Sequence, residues 1–500
     1  MKKSVIIGCG NIGFATLCKL SDQGKDILVY DYKNVPPQYL EEYMREHGNV
    51  TYKTVNATIE SSVTDAFSDL EENSVDFVLN TVGLQTTDTP FDNFDGYANV
   101  VDINVLGNII PIKELVNRNI VSRGAKIVVI GSTSGHFVWK GMSPYVVSKW
   151  ILVNVCSSLQ HELQQKGIAL KVVNPSTIRN QRSEIFGNSR GIDVNSVVSK
   201  VLSGGYQCFC PWYYGIFHFI ERTSPWLFDR TFGLPLRFSR KKNYQGEYES
   251  ILITGASSGL GKELAYRFAG ICKRMYIAAR NQDALMEIKQ DLSGYKCDVF
   301  PLKLDLSDYN SVKEVTQELS KEKIDVIINN AGQHITGSVL ATDVELYRRS
   351  IRINCLSQIL LTAELLKTTK PRCIVNVLST TAISGRTNLG IYSSPKAGLW
   401  AWTKVLRRNY GKSVNVIEVI PATFKSGLSN KGISTTSASD AQGRSLIQSG
   451  KLGLTSKDVS EKVCQGIQNH RDKILIPSFK VRVFILFEAI MPSTFRKLFS

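Results

Sequence analysis

Short β-branched apolar runs alternate with longer stretches of helical period, and the whole series occurs twice. Ser4–Ala15 ("SVIIGCGNIGFA") opens the first half and Ser250–Ala265 ("SILITGASSGLGKELA") opens the second, each passing from a strand pattern into glycines and then a helical period. Second strands follow at Asp26–Asp31 and Arg274–Arg280. Later strands pair off in the same order: Val75–Gly83 with Ile324–Gly332, Ala125–Gly135 with Pro371–Gly385, Leu170–Ile178 with Val414–Phe424. Strands that are apolar throughout and alternate with helices predict parallel sheets covered on both faces. The expected fold class is α/β, with two tandem doubly wound, Rossmann-type domains over 1–240 and 248–500, joined by the polar segment Arg237–Ser250.

Composition narrows the class. Five hundred residues suit two cores better than one. An apolar content of 43% with 21% charged residues describes a globular chain. The ten cysteines show no C-x-x-C pair or zinc-like spacing, which implies free thiols in a reducing compartment and no metal site. The start "MKKSVIIGCG" breaks at glycine after a few apolar residues, so a first strand is expected there rather than a signal peptide. No apolar stretch reaches bilayer-spanning length, and a cytosolic location is expected.

The formal charge of +16 is uneven. Residues 1–250 hold 25 basic and 24 acidic side chains, leaving 35 and 20 for the remainder, a net of +15. That surplus suits an anionic cofactor, substrate or membrane surface as well as it suits a solvated face. Dispersed basic residues without a zinc module or basic repeat argue against nucleic acid.

The glycines carry the first chemistry. Gly8, Gly10 and Gly13 form G-x-G-x-x-G, and Gly255, Gly259 and Gly261 form T-G-x-x-x-G-x-G, with Ser257 and Leu260 inside the same turn. Such a turn lets the backbone approach a pyrophosphate at a helix N-terminus. Asp31 ends the next strand of the first half; a carboxylate there accepts from ribose hydroxyls and repels a 2′-phosphate, which favours NAD. The second half has Ala279 and Arg280 instead, which favours NADP. Asp305 stands where an adenine-contacting acid would lie.

The second chemistry is a Tyr-x-x-x-Lys pair in each half, Tyr145–Lys149 and Tyr392–Lys396. On a helix the two side chains share a face, and an ammonium beside a phenol is expected to lower the tyrosine pKa towards working pH. Alone the spacing is common on helices. Ser132 and Ser379, each thirteen residues upstream of its tyrosine, and Asn104 and Asn354 on the preceding helices turn it into a constellation. The offset between halves is 247 for both serine and tyrosine.

Both halves resemble short-chain dehydrogenases/reductases, and together the resemblance covers nearly the whole chain. It rests on "TGASSGLG", "NNAG" (Asn329–Gly332), Asn354, Ser379, Tyr392 and Lys396, and on Asn104, Ser132, Tyr145 and Lys149. It implies that Tyr392 is the general acid/base, that Lys396 lowers its pKa and binds the nicotinamide ribose, that Ser379 orients the substrate oxygen, and that Asn354 supports a proton relay. Asn330 is implied to border the cofactor. The first half departs at "GCGNIG", at "LNTVG" for N-N-A-G, and at "NPSTI" where the family has Pro-Gly. Helices bearing Tyr-x-x-x-Lys pair between subunits in this family, implying either a homodimer or an internal pairing of the two halves.

The functional expectation is a two-site oxidoreductase. Oxidation at one site and reduction at the other would give net epimerisation or consecutive steps on a phosphorylated, nucleotide-linked or lipid-linked sugar or polyol. The alternative is one NADP-dependent ketoreductase acting on a lipid or other hydrophobic ketone, with a cofactor-binding scaffold in front. Aromatic segments at Cys208–Ile220 and Val481–Pro492, with basic residues nearby (Arg237, Arg240, Lys241, Lys242, Arg496, Lys497), suit a substrate cap, a dimer contact or a peripheral membrane contact. Packing over the pocket or between halves is the expectation. His136 and His334 fall near the two pockets and are assigned no role.

Overall fold

Each half builds one seven-stranded parallel sheet. The computed structural model describes residues 2–86, 93–138, 141–179, 191–223, 248–383, 385–422, 424, 433–434 and 453–490. The first half contributes β1 (Lys3–Ile7), β2 (Ile27–Asp31), β3 (Val50–Thr54), β4 (Val75–Asn80), β5 (Val121–Ile130), β6 (Ala169–Pro175) and β7 (Gln207–Cys210). The second contributes β8 (Tyr248–Thr254), β9 (Cys272–Ala279), β10 (Asp298–Lys303), β11 (Val326–Asn329), β12 (Ile335–Thr336), β13 (Cys373–Val377), β14 (Asn415–Pro421), β15 (Ile433–Ser434) and β16 (Lys473–Ile476).

The strand orders are β3-β2-β1-β4-β5-β6-β7 and β10-β9-β8-β11-β13-β14-β16, one plan used twice, with β12–β15 as a separate small pair. Both sheets run outward for three strands and then cross back to the other side of the first. That reversal opens a crevice at the carboxyl ends of β1 and β4, and of β8 and β11. The apolar runs read from the sequence are the strands, and β11 and β13 are buried at every position.

In the first half the helices are α1 (Asn11–Ser21), α2 (Gln38–Glu46), α3 (Glu60–Ala66), α4 (Phe94–Asn117), α5 (Ser143–Gln165), α6 (Val194–Leu202) and α7 (Tyr213–Thr223). In the second they are α8 (Gly259–Phe268), α9 (Gln282–Asp291), α10 (Tyr309–Leu319), α11 (Val344–Ile351), α12 (Ser357–Thr368), α13 (Gly390–Tyr410), α14 (Ser456–Gln468) and α15 (Ser478–Ile490). Among the described residues no helix is long and apolar enough to cross a membrane. Tyr248–Ser250, read from sequence as the end of the linker, already belong to β8, because the Tyr248 amide donates to Ile271 O and both ends of the triplet are buried. The rest of that linker (237–247), Arg496 and Lys497 lie outside the described residues.

The helices bearing the two Tyr-x-x-x-Lys pairs, α5 and α13, pack along each other. A Cβ on Gly398 would meet Ile151 Cγ1 at 2.6 Å, so glycine sets how closely the two backbones approach. Trp150 and Trp400 meet edge to face at 5.4 Å. One apolar core runs through both halves, with Val105, Ile151 and Leu152 beside Ile359, Leu399 and Trp402. Polar ties cross the same seam. The buried Glu162 carboxylate accepts from the Ser338 hydroxyl at 2.6 Å and the Val339 and Leu340 amides at 2.8 and 3.1 Å. Arg348 pairs with Asp102, and Arg408 donates to Val138 O.

Candidate active site

The two glycine turns solve the same steric problem. Gly8 and Gly255 have φ of +85° and +68°, the left-handed region that favours glycine. A Cβ on Gly13 would stand 2.3 Å from Gly8 O, and one on Gly261 would stand 2.2 Å from Gly255 O. Each turn therefore needs a glycine where the helix recrosses the strand. Both helices start without a side-chain cap, at Gly10 and Ser258, and a Cβ on Gly10 would meet nothing within 4 Å. Uncapped amides beside open space fit a dinucleotide's diphosphate. Gly259 is also left-handed, with φ +57°, and Ser257 is half-buried in the same turn. Leu260 is 5% exposed and packs into the second core, so what it offers a cofactor is its backbone amide.

Asn330 pins the second turn, donating to Thr254 O at 3.0 Å and Gly255 O at 3.4 Å. In the first half Thr81 does this work, its hydroxyl donating to Gly8 O at 2.6 Å. The departure "LNTVG" thus preserves the brace with a shorter side chain, and sequence reasoning missed Thr81. Asp31 is buried at the end of β2 and accepts from the Cys9 amide at 2.7 Å and the Lys33 amide at 3.3 Å. Arg280 is exposed just beyond β9. Asp305 accepts from the Ser307 amide and hydroxyl, both at 2.8 Å. Burial pushes its carboxyl up, but the Ser307 bonds and the Arg280 and Arg349 charges outweigh that and hold it below the usual range.

The Ser–Tyr–Lys–Asn groups come together in both halves. Lys149 Nζ donates to Ile130 O at 2.9 Å and Lys396 Nζ to Val377 O at 3.0 Å. Asn104 Oδ1 accepts from the Leu84 amide at 2.6 Å, and Asn354 Oδ1 from the Gln333 amide at 3.0 Å. Ser132 hydrogen-bonds the Tyr145 phenol and Ser379 the Tyr392 phenol. Gly83 and Gly332 close each cluster: a Cβ there would sit 3.3 and 3.0 Å from the asparagine Oδ1, and 3.5 Å from the lysine Nζ in both. Asn104 lies in the unbroken α4, whereas Asn354 lies in a π-helical turn, Arg352–Leu356, between α11 and α12.

The expected lowering of the tyrosine pKa is not what the cluster shows. Burial pushes the Tyr392 phenol up to about 12, with the Ser379 hydrogen bond opposing, and raises Tyr145 likewise against Ser132. Burial also depresses Lys149 and Lys396 to about 8, because a desolvated ammonium is costly. Desolvation is the largest influence on both partners, against the serine hydrogen bond for each tyrosine and the neighbouring Cys156 or Cys355 for each lysine.

The surroundings differ. The His334 ring lies 4.8 Å from the Tyr392 ring, and burial lowers its pKa towards the neutral form. In the first half His136 reaches Gln207 at 2.9 Å and meets the Phe209 and His218 rings edge to face at 4.8 and 4.4 Å.

The family model for short chain dehydrogenase matches residues 2–188 and again 249–436. The chain belongs to the short-chain dehydrogenase family. Its membership is double, one family unit per sheet, and the chain is accordingly an NAD(P)-dependent oxidoreductase acting on CH–OH groups. The NADP-dependent 3-hydroxy acid dehydrogenase of Schizosaccharomyces pombe is 31% identical over 237 residues, 46% of this chain and 90% of that protein. The dehydrogenase/reductase SDR family protein 7-like of Drosophila melanogaster is 28% identical over 255 residues, 49% of this chain and 77% of that protein. An N-terminal ketoreductase from the macrolactin assembly line shares the fold over 93% of this chain and 89% of its own, with a TM-score of 0.59 at 10% identity.

Proposed function

We propose that both short-chain dehydrogenase units turn over, the first with NAD and the second with NADP, on the hydroxyl or carbonyl group of an apolar compound. The duplicated network carries this reading: the lysine-to-carbonyl bonds of 2.9 and 3.0 Å and the asparagine clamps of 2.6 and 3.0 Å recur in both halves. A binding-only first half would have no use for Ser132, Tyr145 and Lys149 held in that arrangement.

Bound nicotinamide supplies or accepts the hydride. In reduction, the Tyr392 phenol gives its proton to the carbonyl oxygen as that oxygen becomes an alkoxide, and Ser379 donates a hydrogen bond to the same oxygen. Lys396 holds the cofactor's ribose, and Asn354 keeps the adjacent turn in place. Tyr145, Ser132, Lys149 and Asn104 perform the same steps in the first half, run as oxidation when the tyrosine accepts the proton. Asp31 accepts from the adenosine ribose hydroxyls, and Arg280 pairs with a 2′-phosphate.

The substrate reading follows the rings around the first site, where Phe137 lies 6.0 Å from Tyr214 and 6.1 Å from His218. Names of relatives agree with an acyl-type compound: a 3-hydroxy acid dehydrogenase, and a fatty acyl-CoA reductase of Acinetobacter baylyi, 30% identical over 175 residues. A phosphorylated sugar or polyol, epimerised across the two sites, draws instead on the basic surplus of the second half.

Cofactor assignment is tested in Tyr392→Phe, which leaves the first site alone. Turnover there uses NAD, and adding Asp31→Ala lowers kcat/KM for NAD roughly 10- to 100-fold, the loss of charge-assisted hydrogen bonds to the ribose. Equal use of NADP by Tyr392→Phe would overturn the assignment.

A further inference from the structure

Two helices, one from each half, lie side by side and turn apolar side chains outward. At the start of α7, Trp212 is 70% exposed, Tyr213 42% and Ile216 48%; on α15, Phe479 is 76%, Val483 48% and Leu486 46%. Positions 212 and 216, and 479, 483 and 486, follow single helical stripes. The inner faces are occupied: Tyr214 packs towards Phe137, and Val481 is 2% exposed. The sequence expectation is packing over the pocket or between the halves, whereas Trp212, Ile216, Phe479 and Val483 stand exposed.

Cations outnumber acids along α15, where Lys480 and Arg482 stand against Glu488, while α7 carries Glu221 and Arg222. Lys480 and Arg482 are exposed beside Phe479 and Val483. Exposed apolar patches of this kind mark interaction surfaces. Aromatic and aliphatic side chains edged by cations, on helices that do not span, match the headgroup boundary of a membrane rather than water.

We propose that α7 and α15 form a platform that lies on an anionic lipid bilayer, with Trp212, Ile216, Phe479 and Val483 in the headgroup boundary and Lys480 and Arg482 at the lipid phosphates. The platform neither spans the bilayer nor contains a candidate catalytic residue, so docking and turnover are separable. The full chain is sedimented with phosphatidylcholine vesicles, with and without phosphatidylserine, alongside Trp212→Ser/Phe479→Ser and Lys480→Glu/Arg482→Glu variants. Binding is expected to phosphatidylserine vesicles, to weaken with salt, and to fall about tenfold or more in each variant while turnover of a soluble substrate is retained. Wild-type chain left in the supernatant, or equal binding by the variants, would overturn the proposal. So would a concentration-dependent dimer, abolished by Trp212→Ser/Phe479→Ser and formed without vesicles, since a second copy would then be the occupant.

Discussion

Lys149 and Lys396 are buried and each binds a strand carbonyl 19 residues upstream; Tyr392 is buried beside its lysine and Tyr145 half-buried. The Ser, Tyr, Lys and Asn positions were legible because their spacing is local and repeated. Their protonation was not, since desolvation depends on what the fold stacks around them. Thr81 was illegible for a related reason: its contact with Gly8 O spans 73 residues, and nothing about an isolated threonine announces it. Burial of Lys396 has a kinetic consequence. A lysine held to about 8 is charged below that pH and neutral above it. Reduction in a Tyr145→Phe background should therefore show an alkaline limb of kcat/KM near pH 8. A limb near the ordinary lysine value of 10.5 would show that burial does not govern the pair.

At the scale of elements, α13 is tied to the sheet through a buried carboxylate on β14. Glu418 on β14 is fully enclosed and accepts from Arg407 at 2.6 Å and Trp400 Nε1 at 3.1 Å, both on α13, with Lys473 at 3.8 Å. Burial pushes its carboxyl up, but Arg407, Lys473 and Lys404 overwhelm that and hold it at about 2. A carboxyl depressed from 4.5 contributes stability that is present above about 4.5 and lost as pH falls towards 2. Glu418→Leu should cost about 3–5 kcal/mol at neutral pH by leaving Arg407 uncompensated. In denaturant titrations the gap from wild type should narrow at pH 3; a gap independent of pH would refute the linkage. Five strands of each sheet were readable from apolar runs and the two turns from their glycines, whereas the edge strands β3, β7, β10 and β16 were not singled out. The π-helical turn at Asn354 was not, because its sequence, RINCL, carries no breaker.

At the scale of the molecule, the two units share one core and place their Tyr-x-x-x-Lys helices back to back. That seam was only half legible. The in-register offset showed two similar units, but the Glu162 clamp on residues 338–340 joins positions about 176 apart and has no sequence signature. Residues of one unit thus brace the loop that leads from His334, beside the other unit's tyrosine. The proposed function has both sites work on one compound. The most direct test follows the complete conversion of a hydroxy-acyl substrate, with NAD and NADPH both present, in wild type, Tyr145→Phe and Tyr392→Phe. Each single variant should stop at a different step, and mixing the two should restore the full conversion through released intermediate. Complete conversion by either variant alone would contradict a two-site enzyme.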